Sequence, residues 1–260
     1  MQTVNVSGTT LLVSDSGPRD GRVVMFGNSL GTDHRVWDAL LPHLPGDLRI
    51  VRYDKRGHGL SDCPDAPYAM ETLVDDAAAI ADALRLRDIT FVGLSIGGLI
   101  GQGLAQRRPD LLRALVLMDT AAKIGTAEMW RERIAMVRDV GLPGMAEAVL
   151  DRWFAPALRR NAVALAPWRN MLVRTPAEGY AGCCAAIAGA DFSRETAALT
   201  IPVMAMVGAA DGATPPALVQ ATADLCRAPC HVIDDAGHLP CVEQPAAVAA
   251  LLKDFLERTE

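Results

Sequence analysis

The chain has 260 residues, half of them apolar and 22% charged, a balance that fits a globular protein and excludes a disordered one. Its 25 basic and 31 acidic residues leave a net charge of −6, opposite in sign to the basic stripe of a nucleic-acid binder. No stretch approaches the ~20 continuous apolar residues of a membrane span. The start, Met1-Gln2-Thr3-Val4-Asn5, lacks the basic-then-apolar order of a secretory signal, so a cytoplasmic setting is expected.

Thr3–Ser7 and Leu11–Ser14 flank Gly8 and predict a hairpin. Arg22–Phe26 and Leu48–Tyr53 are short apolar runs that end at Gly27 and Asp54, as buried strands do. Over Glu71–Leu86, Leu73, Ala77, Ile80 and Leu84 recur at helical spacing. Ile89–Val92 reads as a strand, Ile96–Arg107 as a helix stopped by Pro109, and Ala114–Met118 as a further strand. Between residues 121 and 194 strand-like runs vanish, and helical patterns broken by Pro143, Pro156, Pro167 and Pro176 take over. The alternation resumes with a strand at Pro202–Val207, a helix at Ala217–Leu225 and a strand at His231–Ile233. A last helix carries Val248, Leu251, Leu252 and Phe255 on one face.

Strands alternating with helices predict an α/β fold, a mostly parallel sheet covered on both faces. The core is expected over residues 1–120 and 195–260, with residues 121–194 a helical lid inserted after a strand. That insertion holds ten Lys/Arg and seven Asp/Glu, which fits either solvated helix faces or a field favouring anionic ligands. The six cysteines are scattered and read as reduced, mostly packed thiols. Cys226, Cys230 and His231 lack a second ligand cluster, so no metal is expected.

Gly93-Leu94-Ser95-Ile96-Gly97 follows a strand and opens a helix, the context of a nucleophile elbow. Small neighbours let that turn close, and the helix start aims N–H groups at a developing oxyanion. A serine needs a base. Of the five histidines, His238 lies after the last strand at the carboxyl edge of the sheet, where sites form. His58 sits in a tight loop and reads as packed there, His231 starts a strand and reads as structural, and His34 and His43 flank a short helix and are the least suited as bases. Asp211, after the preceding strand, is the expected acid, and Asp119 is the alternative. Oxyanion donors are expected from Ile96 N–H and from the loop after Arg22–Phe26, where Leu30 N–H is preferred and Ser29 is the near alternative.

The order Ser95, Asp211, His238 and these motifs resemble the α/β-hydrolase superfamily over essentially the whole chain. Many members carry His-Gly in the oxyanion loop, whereas this chain has Asn28-Ser29-Leu30-Gly31-Thr32-Asp33, then Trp37-Asp38, which is similar to the 3-oxoadipate enol-lactonases. The stretch Arg52–Ser61, the run Gly182-Cys183-Cys184-Ala185-Ala186-Ile187, and Ala190-Asp191-Phe192 resemble that family too. Trp130 and Arg133 match its look. The resemblance implies opening of a small anionic enol-lactone by serine acyl-enzyme chemistry, with no cofactor and no metal. It leaves open a carboxylesterase, a carbon–carbon bond hydrolase, or a cofactor-free haloperoxidase or perhydrolase on the same triad. For the substrate carboxylate the candidate is Arg133, with Trp130 and Trp153 as apolar wall and Ser29 beside the reacting group. Cys183 and Cys184 read as packing.

Overall fold

The structure, a computed structural model, describes residues 1–259. Strands β1 (Gln2–Val6) and β2 (Thr9–Ser16) form the expected hairpin. Ser7 and Gly8, both at positive φ, close it with the twist that suits a two-residue turn. The remaining strands are β3 (Arg22–Gly27), β4 (Leu48–Tyr53), β5 (Ile89–Leu94), β6 (Leu112–Met118), β7 (Val203–Gly208) and β8 (Cys230–Ile233). They make one eight-stranded sheet of order β1-β2-β4-β3-β5-β6-β7-β8. β2 pairs antiparallel with β1 and β4, and all other pairings are parallel. β5 and β7 are buried at every position, as strands covered on both faces must be.

Helices α1 (Met70–Ala83) and α2 (Ile96–Arg107) join the first strands. α1 buries Leu73, Ala77 and Ile80 as its periodicity predicts, but ends before Leu84, because Arg85 turns to φ 54°. Between β6 and β7 lie α3 (Ala127–Trp153), α4 (Pro156–Arg159), α5 (Ala162–Val173), α6 (Ala177–Gly189) and α7 (Ser193–Ala197). The prolines act unevenly here. Pro156 opens α4 and Pro176 precedes α6, whereas Pro167 lies inside α5 without ending it, a correction to the expected break. Pro143 does not end α3 either; the kink comes at Gly141, whose φ of 65° leaves the helical region. Helices α8 (Pro216–Leu225), α9 (Pro240–Glu243) and α10 (Pro245–Arg258) complete the chain. No helix among the described residues is long and apolar enough to cross a membrane.

The parallel strands deliver Asn28, Ser95, Asp119 and Asp211 to one edge of the sheet, where the loop after β8 brings His238. Below that edge a buried ion pair anchors the loop after β4. Arg56 Nε and Nη2 donate to Asp76 of α1, each at 2.6 Å. Burial lifts the Asp76 carboxyl above its ordinary range, and Arg56 returns only part of that. Removing one partner strands the other charge, so Asp76→Ala is expected to cost about 3–5 kcal/mol, read as a lower urea midpoint at unchanged slope.

Candidate active site

Ser95 occupies the turn between β5 and α2 with φ 58° and ψ −119°, a conformation that costs a non-glycine residue about 1–3 kcal/mol. Four hydrogen bonds hold it there. Ser95 N–H donates to Met118 O at 2.9 Å, and Ser95 O accepts from Gly98 N–H at 2.8 Å, Leu99 N–H at 3.4 Å and the Thr120 hydroxyl at 2.7 Å. The flanking glycines are required by contact. A Cβ on Gly97 would lie 2.1 Å from Gly27 O, and one on Gly93 would lie 2.4 Å from Gly97 O.

His238 Nδ1 donates to Asp211 Oδ2 at 2.9 Å, and both side chains are buried. Asp211 also accepts from Thr214 Oγ1 at 2.7 Å and from the N–H groups of Ala213 and Thr214 at 2.7 and 3.0 Å. Burial pushes its carboxyl up, but His238 and these bonds outweigh burial and hold it below the usual range. Asp211 is therefore ionised near neutral pH. Asp119 lies behind it, within 4.8 Å of both partners. Burial and the Asp211 charge drive the Asp119 carboxyl well above its ordinary value, which favours its protonated form. The other ring nitrogen, His238 Nε2, faces Ser29 Oγ at 3.4 Å. Among the described residues no hydrogen bond joins it to Ser95 Oγ, although Ser95 and His238 line the same cavity.

The loop after β3 is braced from below. Asn28, where the sequence departs from His-Gly, is turned into the fold: it donates to Tyr53 O at 2.7 Å and accepts from Trp37 Nε1 at 2.9 Å. Buried Lys55 donates to Ser29 O at 2.6 Å and to Thr32 O at 3.2 Å, and buried His58 Nε2 accepts from Gly31 N–H at 2.9 Å. Leu30 N–H and Ile96 N–H have no acceptor among the described residues.

The cavity holds about 180 Å³. Ser29, Leu30, Ser95 and His238 line it from the sheet edge, and Trp130, Arg133, Trp153 and Tyr180 from the helices. Ile96 and Asp211 stand behind this lining rather than in it. Arg133 donates to Tyr180 Oη at 3.1 Å and stacks over Trp130 at 5.9 Å. Burial keeps that phenol neutral by pushing it up to about 12. Arg152, absent from the candidates drawn from sequence, also lines the cavity, and its Nε donates to Gly212 O at 3.1 Å. Burial and the nearby Arg133 charge lower its pKa. Among the described residues neither guanidinium pairs with a carboxylate, which leaves two cations facing one pocket. Thr214 was missed as well, although a hydroxyl three residues after an Asp is a common turn partner.

Two clusters have the atoms to approach a cation: Asp33, His34 and Asp54, and Asp119, Asp211 and His238. In the first, Arg35 engages Asp33 while His34 and Leu60 N–H engage Asp54. The second is the acid–base cluster already described. Cys183, Cys184 and Cys241 are buried free thiols, Cys226 and Cys230 are partly covered, and Cys63 is exposed.

The sequence matches the model of the Alpha/beta hydrolase family over residues 15–251. It is 35% identical to 3-oxoadipate enol-lactonase 2 of Acinetobacter baylyi, across 97% of each chain. The crystal structure of the enol-lactonase from Burkholderia xenovorans LB400 superposes with a TM-score of 0.94 at 36% identity, covering 98% of this chain and 100% of that one. A thermophilic esterase from Thermogutta terrifontis follows at a TM-score of 0.92 and 29% identity, covering 100% and 99%.

Gly97→Ala tests the elbow. Forcing a methyl against Gly27 O is expected to lower kcat/KM for an ester by on the order of 100-fold, the effect of misplacing a reacting group by about 1 Å. Wild-type kcat/KM in that variant would show that the contact does not set the position of Ser95.

Proposed function

Since the chain belongs to the alpha/beta hydrolase family and is an ester- or lactone-hydrolysing enzyme, we propose that it opens 3-oxoadipate enol-lactone to 3-oxoadipate. The observation that carries the substrate choice is the pair of carboxylate-free guanidiniums, Arg133 and Arg152, in the cavity that also holds Ser95 and His238. A cavity of about 180 Å³ suits a small ligand better than the ~300–1,000 Å³ pockets of drug-sized ones. The acetate arm of the lactone would sit against Arg133 and Arg152, and the ring against Trp130 and Trp153. Residues 121–194 act as the lid that closes the site and carries these contacts.

In this reading Ser95 Oγ attacks the lactone carbonyl as His238 Nε2 takes its proton, which calls for a closer alignment of the two than their resting contact. Asp211 holds the ring by Nδ1 and balances the imidazolium charge. Leu30 N–H and Ile96 N–H, both free to donate, hold the tetrahedral oxygen. Collapse breaks the ring C–O bond, and the enol oxygen, still tethered through the acyl chain, takes the proton from His238 and tautomerises to the ketone. Water, deprotonated by His238, then attacks the acyl-enzyme; its second collapse returns the proton to Ser95 and releases the dicarboxylate.

Ser95→Ala is expected to abolish loss of enol-lactone absorbance while leaving the thermal melt in place. Turnover at the wild-type rate would refute the nucleophile. Arg133→Ala and Arg152→Ala should each raise KM for the enol-lactone about 10- to 100-fold, the effect of losing about 1.5–3 kcal/mol of charge-assisted bonding. KM for a neutral lactone of the same ring should move far less. Equal rises with both substrates would remove the arginines from carboxylate recognition.

A further inference from the structure

Lys55 is 2% exposed and lies in the loop after β4, beneath the Asn28–Thr32 loop. An ammonium is costly to bury without a partner charge. Among the described residues no carboxylate lies within ion-pair distance of it. Its two bonds go to backbone carbonyls, Ser29 O at 2.6 Å and Thr32 O at 3.2 Å. Ser29 O also accepts from Thr32 Oγ1 at 3.0 Å and from Thr32 N–H at 3.3 Å. It belongs to the Ser29–Leu30 peptide, whose other end is Leu30 N–H. A peptide is planar, so fixing the carbonyl fixes the N–H that points the opposite way. A cation on the carbonyl also polarises the unit and makes its N–H a stronger donor.

We propose that Lys55 is a positioning residue of the oxyanion hole: its ammonium orients and polarises the Ser29–Leu30 peptide so that Leu30 N–H meets the developing oxyanion. The inference rests on the reading of Leu30 as an oxyanion donor. The groups around Lys55 fit it. His58 is held neutral, its pKa driven well down by burial and by the Lys55 charge, and it braces the next peptide through Gly31 N–H. From α6, the Cys183 thiol is pushed up to about 12 by burial and stays protonated. Asp33 and Asp54, the acids nearest in the two loops, are engaged by Arg35 and by His34. Burial pushes Lys55 itself down to about 8, so its charge, and with it the polarisation, is lost as pH rises through that value.

Lys55→Met keeps the length of the side chain and removes the charge. Every ester passes through the same kind of oxyanion, so the variant is assayed on both the enol-lactone and p-nitrophenyl acetate. This keeps the test independent of the substrate proposed above. On whichever of the two the wild type turns over, kcat is expected to fall about 10- to 100-fold, less than the ~100- to 1,000-fold for deleting a donor outright, with KM within about threefold. Wild-type kcat should decline as pH rises through about 8, and in Lys55→Met that decline should be absent. A kcat within about twofold of wild type, or a raised KM at unchanged kcat, would overturn the proposal. Should Lys55→Met fail to fold, Lys55→Gln is assayed in the same way: a kcat within about twofold of wild type overturns the proposal, and a fall of about 10- to 100-fold with KM within about threefold supports it. Ser95→Ala is assayed alongside. Turnover in that variant overturns the reading of the site and the proposal together, whereas a silent Ser95→Ala beside an unaltered Lys55→Met overturns the proposal alone.

Discussion

Gly97 and Gly27 approach so closely that a single methyl on Gly97 would fall 2.1 Å from the Gly27 carbonyl oxygen. This contact joins the end of β3 to the first turn of α2, and everything chemical is arranged about it. Residues 28–31 leave β3 on one side of it, and Ser95 and Ile96 enter α2 on the other. Without bare backbone at Gly97 the two segments could not lie side by side, whereas a methyl on Gly27 would press less severely, at 3.0 Å from the Phe91 ring and 3.2 Å from Gly97 Cα. The strain at Ser95 belongs to the same constraint, since the serine must turn to φ 58° for its side chain to clear the sheet edge.

The parts of this arrangement that depend on short-range pattern were legible in the chain. Glycine on both sides of Ser95, apolar runs ending in turn residues, and a 3.6-residue stripe in α1 and α10 each have a local cause, and the mostly parallel sheet followed from the alternation of strands and helices. Asp211 and His238 could be found because strand ends in such a sheet converge on one edge. What the chain did not disclose depends on packing between distant segments. Arg152 looked like any surface arginine until α3 was seen to end at the Asp211 loop. Nothing local in its motif marks Lys55, yet the carbonyls of Ser29 and Thr32 hold it beneath the loop after β3. Pro167 looked like a helix break but forfeits one hydrogen bond within α5 and leaves the helix running.

The charges of the site are sorted by burial. Asp211 and Asp119 lie within a few ångströms of each other at the ends of adjacent loops, and two ionised carboxylates there would repel. The one that receives N–H and hydroxyl donors is held below the usual carboxylate range, and the one with a single N–H bond is pushed well above it. Two arginines on the opposite wall carry the reverse problem, like charges facing each other without an anion. The site is thus a settled anion beside the imidazole of His238 and an unsettled pair of cations across the pocket.

The end of α3 is bonded to both loops that carry Asp211 and His238. Gly212 N–H donates to Arg152 O at 3.2 Å, and His238 N–H donates to Trp153 O at 2.7 Å. The half-buried Glu243 carboxylate takes the N–H of Ala155 at 2.9 Å and of Gly237 at 2.6 Å, tying the segment after α3 to the residue before His238. The helices over the cavity and the imidazole beneath it are therefore one mechanical unit at this end. A shift of Trp153 or Ala155 therefore pulls on the backbone of Gly237 and His238, so the wall of the pocket and the orientation of the imidazole depend on the same few backbone bonds.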